Sequence, residues 1–385
     1  MQQKINSVRT RMKDNNVDLI ALGPGTHMKW LLGFNPSPDE RPCMLLMGLE
    51  NDAFLMPSVN AEDAMKRSDI KMFSWKDENG PEEALDEALS YTGSSNAKHI
   101  AIDEAMRSHF ALILIDALPK PTYEFTNSTI GALRMRKDND EYSNLKENAL
   151  IDDCAMKAGF AAIKEGVTEL EIGEAINKHF ISEGAKPQFC IVGSGPNGAF
   201  PHHHTGNRKV ENGDVVLIDI GGRKGTFPSD MTRMSVVGEP PKDYLEVHAI
   251  VERAVQAAMA AAKPGVMAKE VDAAARDVIT EAGYGEFFVH RLGHGLGIDI
   301  HEPPYITATS EVILDEGMVF SVEPGIYLQG RTKAGTYELL VGAKGSDGKV
   351  NASLQVQGSP ATVTVRPGPL SGRRSKVFGP TVANG

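Results

Sequence analysis

Cysteine is nearly absent: Cys43, Cys154 and Cys190 are the only three in 385 residues, an odd number and widely spaced. That excludes a disulfide framework and fits a reducing compartment. Positive charge is also short. The 40 Lys and Arg stand against 51 Asp and Glu, a net charge of −11, which argues against a nucleic-acid-binding surface because phosphate contacts need clustered cations. No apolar run approaches the ~18 residues a membrane helix needs. The first residues, Met1 to Ile5, lack the apolar core of a secretion signal, so a cytoplasmic protein with no membrane partner is expected.

What is present is ordinary globular composition, 41% hydrophobic and 24% charged, in a chain long enough for two domains. The charge is unevenly spread. From Arg331 onward eight basic residues face two acids, leaving +6 on the last 55 residues and −17 on residues 1–330. The same 55 residues hold nine Gly and four Pro, a loop-like richness in turn formers. Three regions follow: an α/β domain over 1–130, a second domain over 138–330, and a Gly/Pro-rich basic tail over 331–385.

In the first region, Ile5 to Asn15 reads as an amphipathic helix and Val17–Leu22 and Cys43–Met47 as buried strands. Ala61–Ser68 and Pro81–Tyr91 read as helices and His99–Asp103 as another strand. Such alternation indicates an α/β domain, and it contains no nucleotide-binding glycine loop. The pattern lapses between Thr126 and Asp140, with a long helix expected to start near Asp140.

The second region repeats itself. Residues 161–184 lie on 260–283 at a constant offset of 99, with Ala161/Ala260, Lys164/Lys263, Gly166/Gly265, Glu171/Glu270, Ala175/Ala274 and Gly184/Gly283 among the identical pairs. Each copy reads as a helix end closed at Gly, a short turn, and a second helix closed at Gly. Thr168 and Glu171 have capping-box spacing. Phe189/Phe288 and His202/His301 keep the offset, and beyond them NGDVVLIDIG (212–221) lies on EGMVFSVEPG (316–325), pairing Asp219 with Glu323. Two pseudo-symmetric α+β halves follow, each presenting a carboxylate at the same place on its strand.

Asp219 ends the run Val215–Ile218, and Asp230 follows eleven residues later across a glycine-containing segment that permits a hairpin. Either acid alone reads as a strand-end turn residue, but acids set in apolar strands are costly unless a cation or metal pairs them. His294 sits between Gly293 and Gly295, which allow close approach, and Glu323 lies within Phe320-Ser321-Val322-Glu323-Pro324-Gly325. Two Asp, a Glu and a His are an oxygen-rich set suited to Mn²⁺, Fe²⁺, Co²⁺ or Zn²⁺.

Asp219-x10-Asp230 with SDMTR, HRLGHGLGIDIHEPP (290–304) and SVEPGIY (321–327), in this order, resemble the M24 metallopeptidases, in particular the Xaa-Pro aminopeptidases and Xaa-Pro dipeptidases (prolidases). GTHMKWLLGF (25–34) and Glu40-Arg41-Pro42 are similar to the creatinase-type N-terminal domain of that group. The resemblance implies an α+β fold, with a pita-bread C-terminal domain preceded by a smaller creatinase-like α/β domain. It also implies two divalent metal ions, usually Mn²⁺, with a proline-containing peptide as substrate and a homodimer as the assembly.

By the same resemblance Asp219 binds one ion, Asp230 bridges both, and His294 and Glu323 bind the other. Metal-activated water attacks the scissile carbonyl, Glu323 moves its proton, and His202 and His301 stabilise the oxyanion. His203 and His204 read as surface residues. The family's fifth ligand, a bridging Glu, commonly lies in a Gly-x-Arg-apolar-Glu pattern. Here the arginine is absent, and Glu338 in Thr336-Tyr337-Glu338 is the acid within reach. A metal-free creatinase-like enzyme, a metal-dependent lyase on this scaffold and a non-catalytic peptide-binding module are the alternatives.

Overall fold

The computed structural model describes residues 1–329 and, as backbone, the short strands at 336–338, 355–356 and 359–360. The chain divides into two compact units, residues 1–134 and 135–385.

The first unit is built on six strands: β1 (Leu19–Leu22), β2 (Met44–Gly48), β3 (Asp52–Pro57), β4 (Lys71–Trp75), β5 (His99–Ile102) and β6 (Thr122–Phe125). Their order in the sheet is β4-β3-β2-β1-β5-β6. Only the β1–β2 and β2–β3 pairs are antiparallel; β2 and β3 are joined by residues 49–51, too few for a crossover, whereas β1 and β2 are joined through α2. Both faces of the sheet are covered, which is why β1 and β2 are apolar without alternation. Leu19, Ala21, Met44 and Leu46 pack on one side with Leu85, Leu89 and Phe110 of α4 (Glu82–Thr92) and α5 (Ser108–Asp116). Ile20, Leu22, Leu45 and Met47 pack on the other with Val8, Met12, Met28 and Ala61 of α1 (Gln2–Asp14), α2 (Thr26–Leu32) and α3 (Ser58–Met65). Where the sequence pattern lapsed after Thr126, the chain forms a 3₁₀ turn and the short helix α6 (Ile130–Arg134), whose Ile130 joins the second cluster. Five residues are too few to display a helical period, which is why the pattern did not reveal it.

The second unit opens with α7 (Asn139–Ala162). Asp138 caps it, accepting from the Asp140 and Glu141 amides at 3.0 and 2.8 Å. α8 (Glu169–Ser182) starts at the Thr168 box: Thr168 Oγ1 accepts from Glu171 N at 3.2 Å, and Glu171 Oε2 accepts from Thr168 N at 2.8 Å. These helices cover one face of β7 (Lys186–Ser194), β8 (Val215–Lys224), β9 (Phe227–Pro228) and β10 (Met231–Val236). Val216, Ile218 and Ile220 point into that helix-covered core, so the intervening Asp219 takes the opposite face.

The second half follows the same plan with α9 (Tyr244–Ala261), α10 (Ala268–Glu281), β11 (Gly293–Gly295), β12 (Glu302–Ile306) and β13 (Gly325–Tyr327). Its likeness to the first half extends to individual bonds. Gly166 N donates to Val210 O and Gly265 N to Leu314 O, each at 2.8 Å. The bridges Thr168–Lys209 and Met267–Ile313 match as well. Lys209 and Ile313, like Val210 and Leu314, stand at the separation that relates Asp219 to Glu323. Gly184 and Gly283 follow the C-caps of α8 and α10 as expected, but α7 and α9 end at extended Ile163 and Ala262, and Gly166 and Gly265 lie in the turns beyond them; all four glycines have φ between +72° and +89°, a conformation that disfavours any side chain. No helix among the described residues is long and apolar enough to cross a membrane.

Candidate metal centre

β8 and β10 form an antiparallel hairpin in which Thr232 lies opposite Asp219 and Met231 opposite Ile220. Asp219 is therefore in the middle of β8 rather than at the end of a strand, because the ladder continues to Lys224 with β7 and β9. Thr232 Oγ1 donates to Asp219 Oδ1 at 2.8 Å. Asp230 sits just before β10 and is buried.

The second half reaches the same point with shorter segments. The backbone of 319–323 runs against 292–296: Leu296 N donates to Val319 O, Ser321 N to His294 O and Glu323 N to Leu292 O, at 3.0, 2.7 and 2.8 Å. A Cβ on Gly293 would stand 2.0 Å from the Ser321 carbonyl oxygen, so only glycine permits this approach. Ser321 ties the two polar side chains together. Its Oγ accepts from His294 N at 2.9 Å and donates to Glu323 Oε1 at 2.6 Å.

His294 Nε2 lies 3.3 Å from Asp230 Oδ2 and 3.2 Å from Glu323 Oε1. Its Nδ1 lies 3.1 Å from Gly295 O and donates there, which directs Nε2 at the carboxylates. The His301 ring stands 4.0 Å from that of His294, and Asp230, His294 and His301 offer ligand atoms within 4.8 Å of one another. Asp219 enters through its charge coupling to Asp230, Glu323 and His294. His202 and His301 are exposed at the edge, near enough for His202 to act electrostatically on His301. The side chain of Glu338 lies outside the described residues; the backbone of β14 (Thr336–Glu338) pairs with β13 and sets Glu338 opposite Gly325.

The electrostatics show a site lacking positive charge. Burial, then the neighbouring Asp230, holds the Asp219 carboxyl well above the usual range. Burial likewise raises Asp230, against the bonds from His294. Burial disfavours a charged His294, yet its bonds to Asp230 and Glu323 outweigh this and raise it to about 10. For Glu323 burial is again opposed by the His294 bond, which lowers it below its ordinary value. One histidine thus answers three crowded acidic side chains, two of which burial pushes toward their neutral forms. Hard oxygen donors with one oriented imidazole nitrogen fit a divalent cation, which would replace the histidine's proton as counter-charge.

A second cluster, His27, Asp103 and Glu104, occurs in the first unit and differs on this point. There Arg134 Nη1 donates to His27 Nδ1 at 3.1 Å, and His27 Nε2 lies 3.2 Å from Glu104 Oε1. With the guanidinium inside the cluster, the charges are answered without a metal.

Several positions were not evident as participants from sequence. His203, read as a surface residue, is half-buried. Its Nε2 bonds Glu169 Oε2 at 2.9 Å. Glu169, fully buried on α8, also accepts from Ser194 N, Ser194 Oγ and Asn197 Nδ2 at 2.8, 2.8 and 2.9 Å. It thereby holds the loop that carries His202. His290 Nε2 bonds the Tyr327 hydroxyl at 2.8 Å, joining the HRLGHG and EPGIY segments. Thr232 and Ser321 carry no signal of their own in the sequence; only their neighbours in the motifs point to them.

Fold and centre together define a metallopeptidase of the pita-bread type with a creatinase-like N-terminal domain. The chain belongs to metallopeptidase family M24, whose model matches residues 143–349, and the creatinase/prolidase N-terminal domain model matches residues 4–136. It is 35% identical over 330 residues to the probable dipeptidase PepE of Mycobacterium tuberculosis, covering 84% of this chain and 86% of that one. It is 34% identical over 336 residues to the Xaa-Pro dipeptidase of Lactobacillus helveticus, covering 85% and 90%. Among solved structures, dipeptidase PepE from Mycobacterium ulcerans superposes with a TM-score of 0.82 at 31% identity, over 88% of this chain and 91% of that one. The prolidase from Pyrococcus furiosus gives 0.73 at 30%, over 86% and 94%.

Proposed function

We propose that this chain hydrolyses the Xaa-Pro bond of dipeptides or of peptide N-termini. The observation that carries the reading is the convergence of Asp230, His294 and Glu323, from both halves of the repeat, on one buried point beside Asp219. The 34% identity to an Xaa-Pro dipeptidase supports the proline specificity. Asp219, Asp230, His294 and Glu323 would hold two divalent ions, with Glu338 as a further ligand. Mn²⁺ as the native ion, a homodimer and a cytoplasmic location belong to the same reading. Such ions supply Lewis acidity toward the scissile carbonyl and bring water toward ionisation near neutral pH.

The chain's own residues do the rest. Glu323, oriented by the Ser321 hydroxyl, takes the proton of the attacking water and delivers it to the proline nitrogen. Like any amide nitrogen, it becomes a leaving group only once protonated, and it departs as the secondary amine of proline. Although the His301 side chain reaches solvent, its partly buried ring is held down to about 4, by that partial burial first and then by His294 and Arg291, so it is neutral at pH 7. A neutral ring donates a hydrogen bond to the developing oxyanion without needing a counter-charge, and His202 would donate from the other half.

Ala-Pro and Gly-Pro hydrolysis on adding Mn²⁺ to metal-stripped protein tests the reading. The expected result is turnover that falls by at least about a thousandfold in Asp230→Ala. Metal-loaded protein inert toward every Xaa-Pro peptide would refute it.

A further inference from the structure

His301 ends the loop that joins β11 to β12. The ladder pair Gly295–Glu302 closes that loop, so the residue after His301 is held in the ladder and His301 stands just outside it. The Glu302 side chain turns inward. Its Oε1 accepts from Lys137 Nζ at 2.5 Å, with the two side chains 5% and 1% exposed. The carboxylate lies directly over Gly297, where any Cβ would overlap it, so the loop folds around this acid. Lys137 is itself rooted beside the centre: Lys137 N donates to Gly317 O at 2.8 Å, and Arg136 bridges to Met318, on the segment that continues to Glu323.

Stability does not account for such a pair, because apolar side chains of similar volume would fill the site as well. A short charge-assisted bond adds direction, and so fixes where the neighbouring backbone lies. That neighbour is His301, whose ring stands 4.0 Å from that of His294. The first half has an equivalent tie. His203 and Glu302 are mates at offset 99, as are His202 and His301. His203 Nε2 lies 2.9 Å from Oε2 of the fully buried Glu169. In both halves, then, the residue following the histidine is tied to a buried partner, with different side chains making the same kind of tie. What the two ties share is the placement of the histidine before them.

We propose that Lys137 is a positioning residue for the hydrolysis, acting through Glu302 to aim the His301 ring at the substrate oxygen. The inference rests on the oxyanion role proposed for His301 above.

The test is a double-mutant cycle on the Mn²⁺-loaded full chain. Ala-Pro turnover and Mn²⁺ uptake are measured for wild type, Lys137→Met, His301→Ala and the two substitutions together. Lys137→Met is expected to lower kcat at least about tenfold, with KM within about threefold and Mn²⁺ uptake unchanged. In the His301→Ala background the same change should alter kcat by less than about twofold, because the ring it aims is gone. Arg136→Gln, which removes the neighbouring exposed pair with Asp315, should stay within about twofold of wild type. An equal fractional loss in both backgrounds overturns the proposal, since it marks the pair as general support of the fold. So does unchanged kcat in Lys137→Met, or a loss of Mn²⁺ uptake. If Lys137→Met does not fold, Glu302→Gln, which keeps an acceptor for the amine, takes its place in the cycle; at least about threefold is then expected, with the same overturning outcomes. Wild-type protein inert toward Ala-Pro would refute the peptidase reading, and full activity in His301→Ala would refute the role of that histidine. Either result removes the proposal too, but by a different readout from the coupling.

Discussion

The two halves of the second unit bring chemistry to one point by different means. The first half uses a long regular ladder: β8 runs ten residues between β7 and β10, and Asp219 and Asp230 ride on one hairpin. The second half uses three-residue strands and glycines, with His294 and Glu323 held by backbone bonds between 292–296 and 319–323. A regular ladder can carry carboxylates because each rung is independent of the side chain above it. The imidazole must instead be brought against a carboxylate with one nitrogen already engaged, and that demands a closer backbone approach than paired side chains allow. The turns between the helices, by contrast, keep matching hydrogen bonds and bridges in the two halves. Duplication thus preserved the scaffold while the site-bearing strands diverged.

Five substitutions, in three tests, would break or sharpen this contrast, taken from the largest effect to the smallest. Gly293→Ala should be the most damaging. Its Cβ would meet the Ser321 carbonyl at 2.0 Å, and backbone cannot yield as a side chain can. A loss of about 3 kcal/mol or more is expected in chemical denaturation. A loss below ~1 kcal/mol would mean that the close approach is not required.

The next tests whether the halves use equivalent clamps. Asp272 on α10 accepts from Leu292 N at 3.1 Å and from Arg276, fixing the segment that leads to His294. Glu169 on α8 does the same for the segment leading to His202. Glu169→Gln and Asp272→Asn should each cost about 2 kcal/mol, because a charged acceptor of several bonds becomes a neutral amide with half the acceptor capacity. If only one of them destabilises the protein, the clamps are not equivalent.

The smallest effect concerns the caps. Glu171 and Glu270 both accept from the N-cap amide at 2.8 Å, but the first copy has the Thr168 hydroxyl and the second has Met267. Thr168→Ala should cost about 1 kcal/mol, and Met267→Ser should add roughly 0.5–1 kcal/mol, both read from urea midpoints. A neutral Met267→Ser would show that the second helix start is held by tertiary contacts instead.

Much of this is legible in the sequence. The N-terminal strands stood out because both faces of their sheet are buried, which leaves unbroken apolar runs such as Leu19–Leu22. β3, β4 and α2 drew no separate reading, since short elements flanked by polar residues show no sustained period. Of the centre, the motifs identified Asp219, Asp230, His294 and Glu323 as candidates, because acids and a histidine among apolar strand residues and glycines stand out against their surroundings. Thr232 and Ser321 did not stand out, since a hydroxyl in a strand is commonplace. The burial of Asp152 on α7 could not be found, because an acid within a helix reads as a solvated face until the sheet packed over it is known.

What the sequence determined by itself was periodic or repeated: the duplication at offset 99, the glycine turns within it and the capping box. The glycine turns and the capping box depend on residues within a turn or two of one another, where sterics and local hydrogen bonding decide the outcome; the duplication is visible because the same local pattern recurs. Tertiary structure alone decided that Asp219 lies mid-strand, that His203 turns inward to Glu169, and that Ser321 couples His294 to Glu323. It also decided that Asp152 of α7 is fully buried. Those are facts about charges and donors brought together across tens to more than a hundred residues of chain. Their energies depend on burial and on what faces them, and both exist only once the sheets and helices have closed.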